Sequence, residues 1–118
     1  MKSVNPVEVL LVGDGAETLK IAKWIASSKL VSAVYCVPNN PEINRIAGAE
    51  GVDIQANDVT ALLSFALLHE VNVAVFGSEN LFTSSIDDAF KRAKLKIIKP
   101  SEAMILSEEG KFPASRFM

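Results

Sequence analysis

The stretch Val12-Gly13-Asp14-Gly15-Ala16-Glu17-Thr18-Leu19 joins an apolar run to a helical one. Two glycines at a strand-to-helix junction let the backbone come close to a ligand, and phosphate is the usual one, because the first N–H groups of the helix point at it. The carboxylates Asp14 and Glu17 oppose that reading. A charge 4 Å from a fixed carboxylate feels about 1 kcal/mol in water and about 4 kcal/mol at a surface-like dielectric. Both acids also have structural uses: Asp14 as a cap or turn residue, and Glu17 as first-turn compensation of the helix dipole, worth about 0.3–1 kcal/mol.

Other chemistry is excluded position by position. A dinucleotide fingerprint needs a third glycine where Thr18 stands, and an acid at the end of the second strand where Val37-Pro38 stand. Gly110-Lys111 lacks the strand and the earlier glycine of a P-loop. With His69 the sole histidine and Cys36 the sole cysteine, no zinc site can be built from soft ligands and no internal disulfide can form. His69 reads as a packed residue or a cation at a helix end, and Cys36 as a small buried hydrophobe. Ser78, Ser84 and Ser85 have no histidine at a triad spacing. Trp24 and Tyr35 read as packing residues. No catalytic residue and no metal ligand is assigned.

Alternating elements must position the glycine loop. Val7–Val12 reads as a buried strand and 16–29 as a helix with Leu19, Ala22, Ile25 and Ala26 on its inner face. Val31–Val37 is a second strand, stopped by Pro38-Asn39-Asn40-Pro41. A short helix is expected over 42–49 and a third strand over 52–55. Asn57 or Asp58 caps a helix with Val59, Leu62, Leu63, Ala66 and Leu67 on one face. A fourth strand covers 71–76. Next comes a helix with the stripe Ile86, Ala89, Phe90, Ala93 and the outer pairs Asp87–Lys91 and Asp88–Arg92. A fifth strand at 95–98 and a helix over 102–107 close the series.

Strands that are apolar throughout and alternate with helices imply a parallel sheet covered on both faces. The expected architecture is α/β, doubly wound, with strand order 3-2-1-4-5. The chain then reverses direction between strands 1 and 4, where ligands bind outside the carboxyl ends of the strands. The loops at Gly13–Ala16 and Gly77-Ser78-Glu79-Asn80 meet there, flanked by Pro38-Asn39-Asn40-Pro41.

The 118 residues imply a single domain over residues 1–118. The net charge of −2 gives no general attraction to nucleic acid or anionic lipid. Residues 1–6 lack a signal-peptide core, and no apolar run is long enough to cross a membrane. The expected setting is the cytoplasm, with neither nucleic acid nor membrane as a partner.

Over almost its whole length the chain resembles the N-terminal domain of phosphoribosylamine–glycine ligase, a purine-biosynthesis enzyme of the ATP-grasp superfamily. The resemblance rests on "VLLVGDGAETLKIAKWIASSKLVSAVYCVPNNP", "NDVTALLSFALLHEVNVAVFGSENL" and "IDDAFKRAKLKIIKPSEAMILSEEGKFPASRFM". It implies a three-layer α/β/α, Rossmann-like fold of the pre-ATP-grasp kind. It also implies that Gly13, Gly15, Pro38, Asn40, Gly77 and Glu79 take the places of the family's substrate loops. Departures fall on the same loops. The family's Gly-x-Gly-Gly-Arg-Glu-His has Ala16, Glu17, Thr18 and Leu19 in its last four places, Pro-Gly-Asn reads Pro38-Asn39-Asn40, Gly-Pro-Glu reads Gly77-Ser78-Glu79, and the Gly-Pro after strand 5 reads Lys99-Pro100. The implied small-molecule partner, a phosphoribosyl compound, is therefore expected to bind weakly. ATP and magnesium belong to ATP-grasp domains that this chain does not carry, so it has no cofactor of its own, its implied protein partner is such a domain, and alone it is expected to be inactive. Two alternatives stand beside this: a stand-alone, non-catalytic binding module on the same scaffold, and a receiver-like signalling domain, which Asp14, Ser78 and Lys99-Pro100 partly mimic.

Overall fold

In the computed structural model, which describes residues 6–13 and 15–118, five parallel strands form one sheet in the order β3-β2-β1-β4-β5. The strands are β1 Val7–Val12, β2 Val31–Val37, β3 Ala49–Gly51, β4 Val73–Phe76 and β5 Lys96–Ile98. Four helices connect them: α1 Ala16–Ala26, α2 Val59–Leu68, α3 Ser84–Arg92 and α4 Pro100–Glu109. This is the expected doubly wound, Rossmann-like arrangement. A receiver domain needs the order 2-1-3-4-5, so that reading is overturned, and the exposed Asp53 lies beyond β3 rather than at its end.

The central strand shows why both faces must be covered. Along β1, Val7, Val9 and Leu11 face one hydrophobic cluster, while Leu10 and Val12 face the other. The first cluster takes Ile21, Ala22, Trp24 and Ile25 from α1, Ala103 from α4, and Phe112 and Phe117 from the segment after α4. The second takes Leu62 and Ala66 from α2, and Ile86 and Phe90 from α3. Helix α3 buries Ile86 and Phe90 as its stripe requires, while Ala89 and Ala93 are half-buried. Lys91 pairs with Asp87 at 3.1 Å, and among the described residues Asp88 and Arg92 form no such pair.

Several local expectations are corrected. Helix α1 ends at Ala26, where the Ser27 hydroxyl donates to the Trp24 carbonyl at 2.7 Å. Its inner face carries Ile21 and Trp24, and Leu19 and Ala26 are only partly buried. In α2, Leu67 points outward at 53% exposure. The expected helix over 42–49 is a single 3-10 turn at Ile43–Arg45, because Gly48 takes φ +88 and the chain is already turning into β3. The third strand precedes its expected place at 52–55. Val52 still donates its N–H to the Cys36 carbonyl at 2.8 Å, but the Ile54 N–H returns to the Val52 carbonyl at 2.9 Å and draws the chain off the sheet. Helix α4 is longer than expected, reaching back to Pro100 and on to Glu109.

Candidate functional site

At the carboxyl edge of the sheet, backbone hydrogen bonds hold three chain exits together. The Gly13 N–H donates to the Val37 carbonyl at 3.0 Å, which ties the end of β1 to that of β2. The Gly77 N–H donates to the Val12 carbonyl at 2.8 Å, which ties β4 to β1. The exits of β1 and β2 lead to the same face, which carries α1 and Ile43, whereas β4 leads to α3 on the other face.

Gly13, Gly15, Pro38 and Asn40 line one cavity of about 260 Å³, together with Thr18, Asn39, Pro41 and Ile43. Each loop has a local reason for its shape. Gly15 takes φ +91, a conformation that disfavours any side chain, and serves as the N-cap of α1. A Cβ on Gly13 would lie 2.7 Å from Thr18 Oγ1, so that position cannot hold a larger residue without moving Thr18. Opposite, Asn40 Oδ1 accepts from the Glu42 N–H at 3.0 Å and the Asn40 carbonyl from the Ile43 N–H at 2.9 Å, which folds the loop back on itself. The Asn39 side chain fills the space over Gly51 where a Cβ would stand. The peptide bond between Val37 and Pro38 is cis.

No charged side chain is among the described residues that line this cavity. Thr18 is only 4% exposed, and its hydroxyl has no hydrogen-bond partner among the described residues. That buried hydroxyl is the feature that sequence reasoning missed; its only signal was a polar residue facing inward in the first turn of an apolar-faced helix. Asp14 lies outside the described residues.

The other residues singled out in the sequence fall beside the cavity rather than in it. Gly77 lines an adjoining groove of about 110 Å³ with Glu17, Lys20, Pro100 and Met104. Glu17 is exposed and shares this groove with Lys20. Glu79 starts the 3-10 turn Glu79–Leu81, is exposed, and lines neither concavity. His69 caps the C-terminal end of α2 and stacks on Phe65 with ring centroids 4.1 Å apart, so it is a packed surface residue. Cys36 is buried in β2, and burial pushes its thiol up to about 12. Among the described residues no group of acidic, histidine or cysteine side chains could hold a metal ion. Among the described residues no helix is long and apolar enough to cross a membrane.

A larger concavity, about 650 Å³, lies at the opposite edge of the sheet. Size therefore does not choose the site. The glycine loop after β1 and the N-terminal end of α1 do, and the cavity they line lies on the β2 side of β1 rather than at the chain reversal between β1 and β4.

Comparison with known proteins identifies the family. Residues 7–106 match the family model for the phosphoribosylglycinamide synthetase N domain. A phosphoribosylamine–glycine ligase from Caldanaerobacter subterraneus subsp. tengcongensis is 32% identical over 112 residues, covering 95% of this chain and 26% of the relative. Ligases of the same name from Yersinia pestis and Chlorobaculum tepidum are 30% and 28% identical, over 89% and 95% of this chain and 24% and 27% of their own lengths. The chain thus spans about a quarter of the length of the curated relatives it matches.

Proposed function

We propose a function from one premise: the chain belongs to the family of phosphoribosylglycinamide synthetase N domains. It acts as the substrate-pocket domain of a phosphoribosylamine–glycine ligase-like protein. It supplies one wall of a pocket for a phosphoribosyl compound and closes against an ATP-grasp partner that brings ATP and magnesium. Alone it does not carry out the ligation.

The observation that carries this reading is the convergence of Gly13, Gly15, Pro38 and Asn40 on one cavity at the N-terminal end of α1. Each element has a physical role there. The glycines let backbone N–H groups approach an anionic oxygen, and the helix end favours negative charge. The turn fixed by Asn40 sets the width of the cavity from the far side. Glu17 opposes the anion from the neighbouring groove, in the place where the sequence resemblance puts an arginine.

A second reading draws on that same acid. With Glu17 in the neighbouring groove and no cation among the described residues that line the cavity, the cavity suits a neutral partner, and the chain is then a stand-alone binding module. Titration calorimetry with ribose 5-phosphate separates the two. The first reading expects weak binding that Glu17→Arg strengthens at low salt by about tenfold, since ~1.4 kcal/mol suffices for that factor. Added salt shrinks the gain. No binding to either protein favours the module.

A further inference from the structure

The cleft at the far edge of the sheet has a different character from the pocket above, and its use is independent of the phosphoribosyl reading. It lies between the turn that links α1 to β2 and the segment that follows α4. Its floor is apolar: Leu30, Phe112, Pro113 and Ala114. Its rim carries Lys29 on one wall and Lys111 on the other, and no carboxylate among the described residues lines it. Both lysines are exposed, and neither pairs with a carboxylate among the described residues. In a chain of net charge −2 this is a local reversal of sign.

The floor is held rigidly. Phe112 is 4% exposed and meets Trp24 edge-on, with ring centroids 5.2 Å apart. Phe117 stacks on Phe112 at 6.1 Å, and the Phe117 carbonyl accepts from Asn72 Nδ2 at 3.2 Å, which ties the segment to the strand side of the molecule. Helix α1 ends at this cleft, and a helix C-terminus carries partial negative charge. A bare anion is therefore disfavoured on the floor. The floor suits an uncharged apolar group, and the rim suits the charges.

We propose that this cleft docks a segment of another protein that inserts one apolar side chain between Leu30 and Phe112 and sets carboxylates on either side of it, against Lys29 and Lys111. The lysines stand on opposite walls, so the complementary charges must straddle the apolar anchor. An acidic–apolar–acidic peptide has that order along its backbone. Burial of the anchor supplies affinity, and the rim charges supply register and salt dependence.

Trp24 is the only tryptophan of the chain and packs against the floor, so its emission reports on the cleft. The test is a fluorescence titration of the full chain with a capped peptide that holds a leucine between two pairs of aspartates. The expected result is a saturable change in emission that weakens with salt. The Lys29→Glu/Lys111→Glu variant loses about tenfold or more in affinity. The Lys20→Glu/Lys96→Glu variant, with the same net charge, does not, and far-UV circular dichroism confirms that both variants are folded. Any of four outcomes overturns the proposal: no saturable change, equal binding of the peptide with asparagine in place of aspartate, equal loss in both double variants, or self-association of the wild type that Lys29→Glu/Lys111→Glu abolishes, which makes the occupant a second copy.

Discussion

On one face of the sheet, each helix starts on a side chain that closes its first turn. Asp58 Oδ1 accepts from the Ala61 N–H at 3.1 Å at the start of α2, and Thr83 Oγ1 accepts from the Ile86 N–H at 3.3 Å at the start of α3. On the other face, α1 starts on Gly15, which has no side chain to offer, and α4 starts on Lys99 with Pro100 behind it and no side-chain cap. A capped N-terminus has its exposed donors satisfied within the chain. An uncapped one leaves them to solvent or to a ligand. Among the described residues, the helices without such caps are the ones that border the crevice beside β1, where Gly15 lines the cavity and Pro100 the adjoining groove. The α2/α3 face is built for stability. The α1/α4 face gives up part of that stability at the edge where the candidate site lies.

The comparison breaks first on the core of the capped face. Phe90 is fully buried and meets Phe76 edge-on with ring centroids 6.0 Å apart. Phe90→Ala should cost about 3–5 kcal/mol of unfolding free energy in a denaturant titration. An unchanged midpoint would show that α3 does not anchor this face.

Alkaline pH probes the two faces through neighbouring residues of β2. Cys36 points into the α1/α4 cluster, and burial lifts its thiol from the ordinary 9.0 to about 12. Tyr35 packs on the α2/α3 side and is raised by burial and then by its hydrogen bond to Glu8, 3.0 Å away. Both groups are held neutral in the fold, so the stability they contribute is complete below their unfolded values and is lost as pH rises. For Cys36 the window runs from 9.0 to about 12, and the loss at its upper end is on the order of 4 kcal/mol. Cys36→Val should flatten the fall in melting temperature across that window. A fall of the same depth in the variant would assign the loss to other groups.

The smallest effect sharpens the comparison most closely. Asp58→Ala should destabilise by about 1 kcal/mol, because it removes an existing cap. Lys99→Asp should stabilise by about as much, because it adds a cap and a favourable charge where α4 has neither. Thermal unfolding of the two variants reads both signs. If Lys99→Asp gives no gain, the start of α4 is already satisfied and the contrast between the faces is lost.

The sequence made the architecture legible because its strongest signals are global. Runs such as Val7–Val12 and Val31–Val37 are apolar on both faces, and right-handed crossovers restrict how five such strands can be wound. Both strand ranges were read to the residue. The third strand was misplaced because the alternation of Val52 and Ile54 marks side chains that pack on the α2/α3 cluster, whereas pairing with β2 is made by Ala49, Glu50 and Gly51, which carry no such pattern. The inner face of α1 was read one step around because Trp24 and Ile21 outweigh Leu19 in burial, a tertiary choice that spacing alone does not make. At the candidate site, the convergence of Gly13, Gly15, Pro38 and Asn40 followed from strand order and loop position. The separation of Gly77 and Glu79 from that cavity did not, because it depends on how the 3-10 turn after β4 carries Glu79 outward.

The central claim is that the N-terminal end of α1, which has no side-chain cap among the described residues, and the Pro38–Asn40 turn form a receptor for a phosphoribosyl group. An amide-resolved NMR titration of the chain with ribose 5-phosphate tests it most directly. The account predicts that the largest shifts fall on Gly15, Ala16 and Asn40, and that they grow in Glu17→Arg. Shifts that avoid these amides, or that gather around Lys29 and Lys111 at the opposite edge, would contradict it.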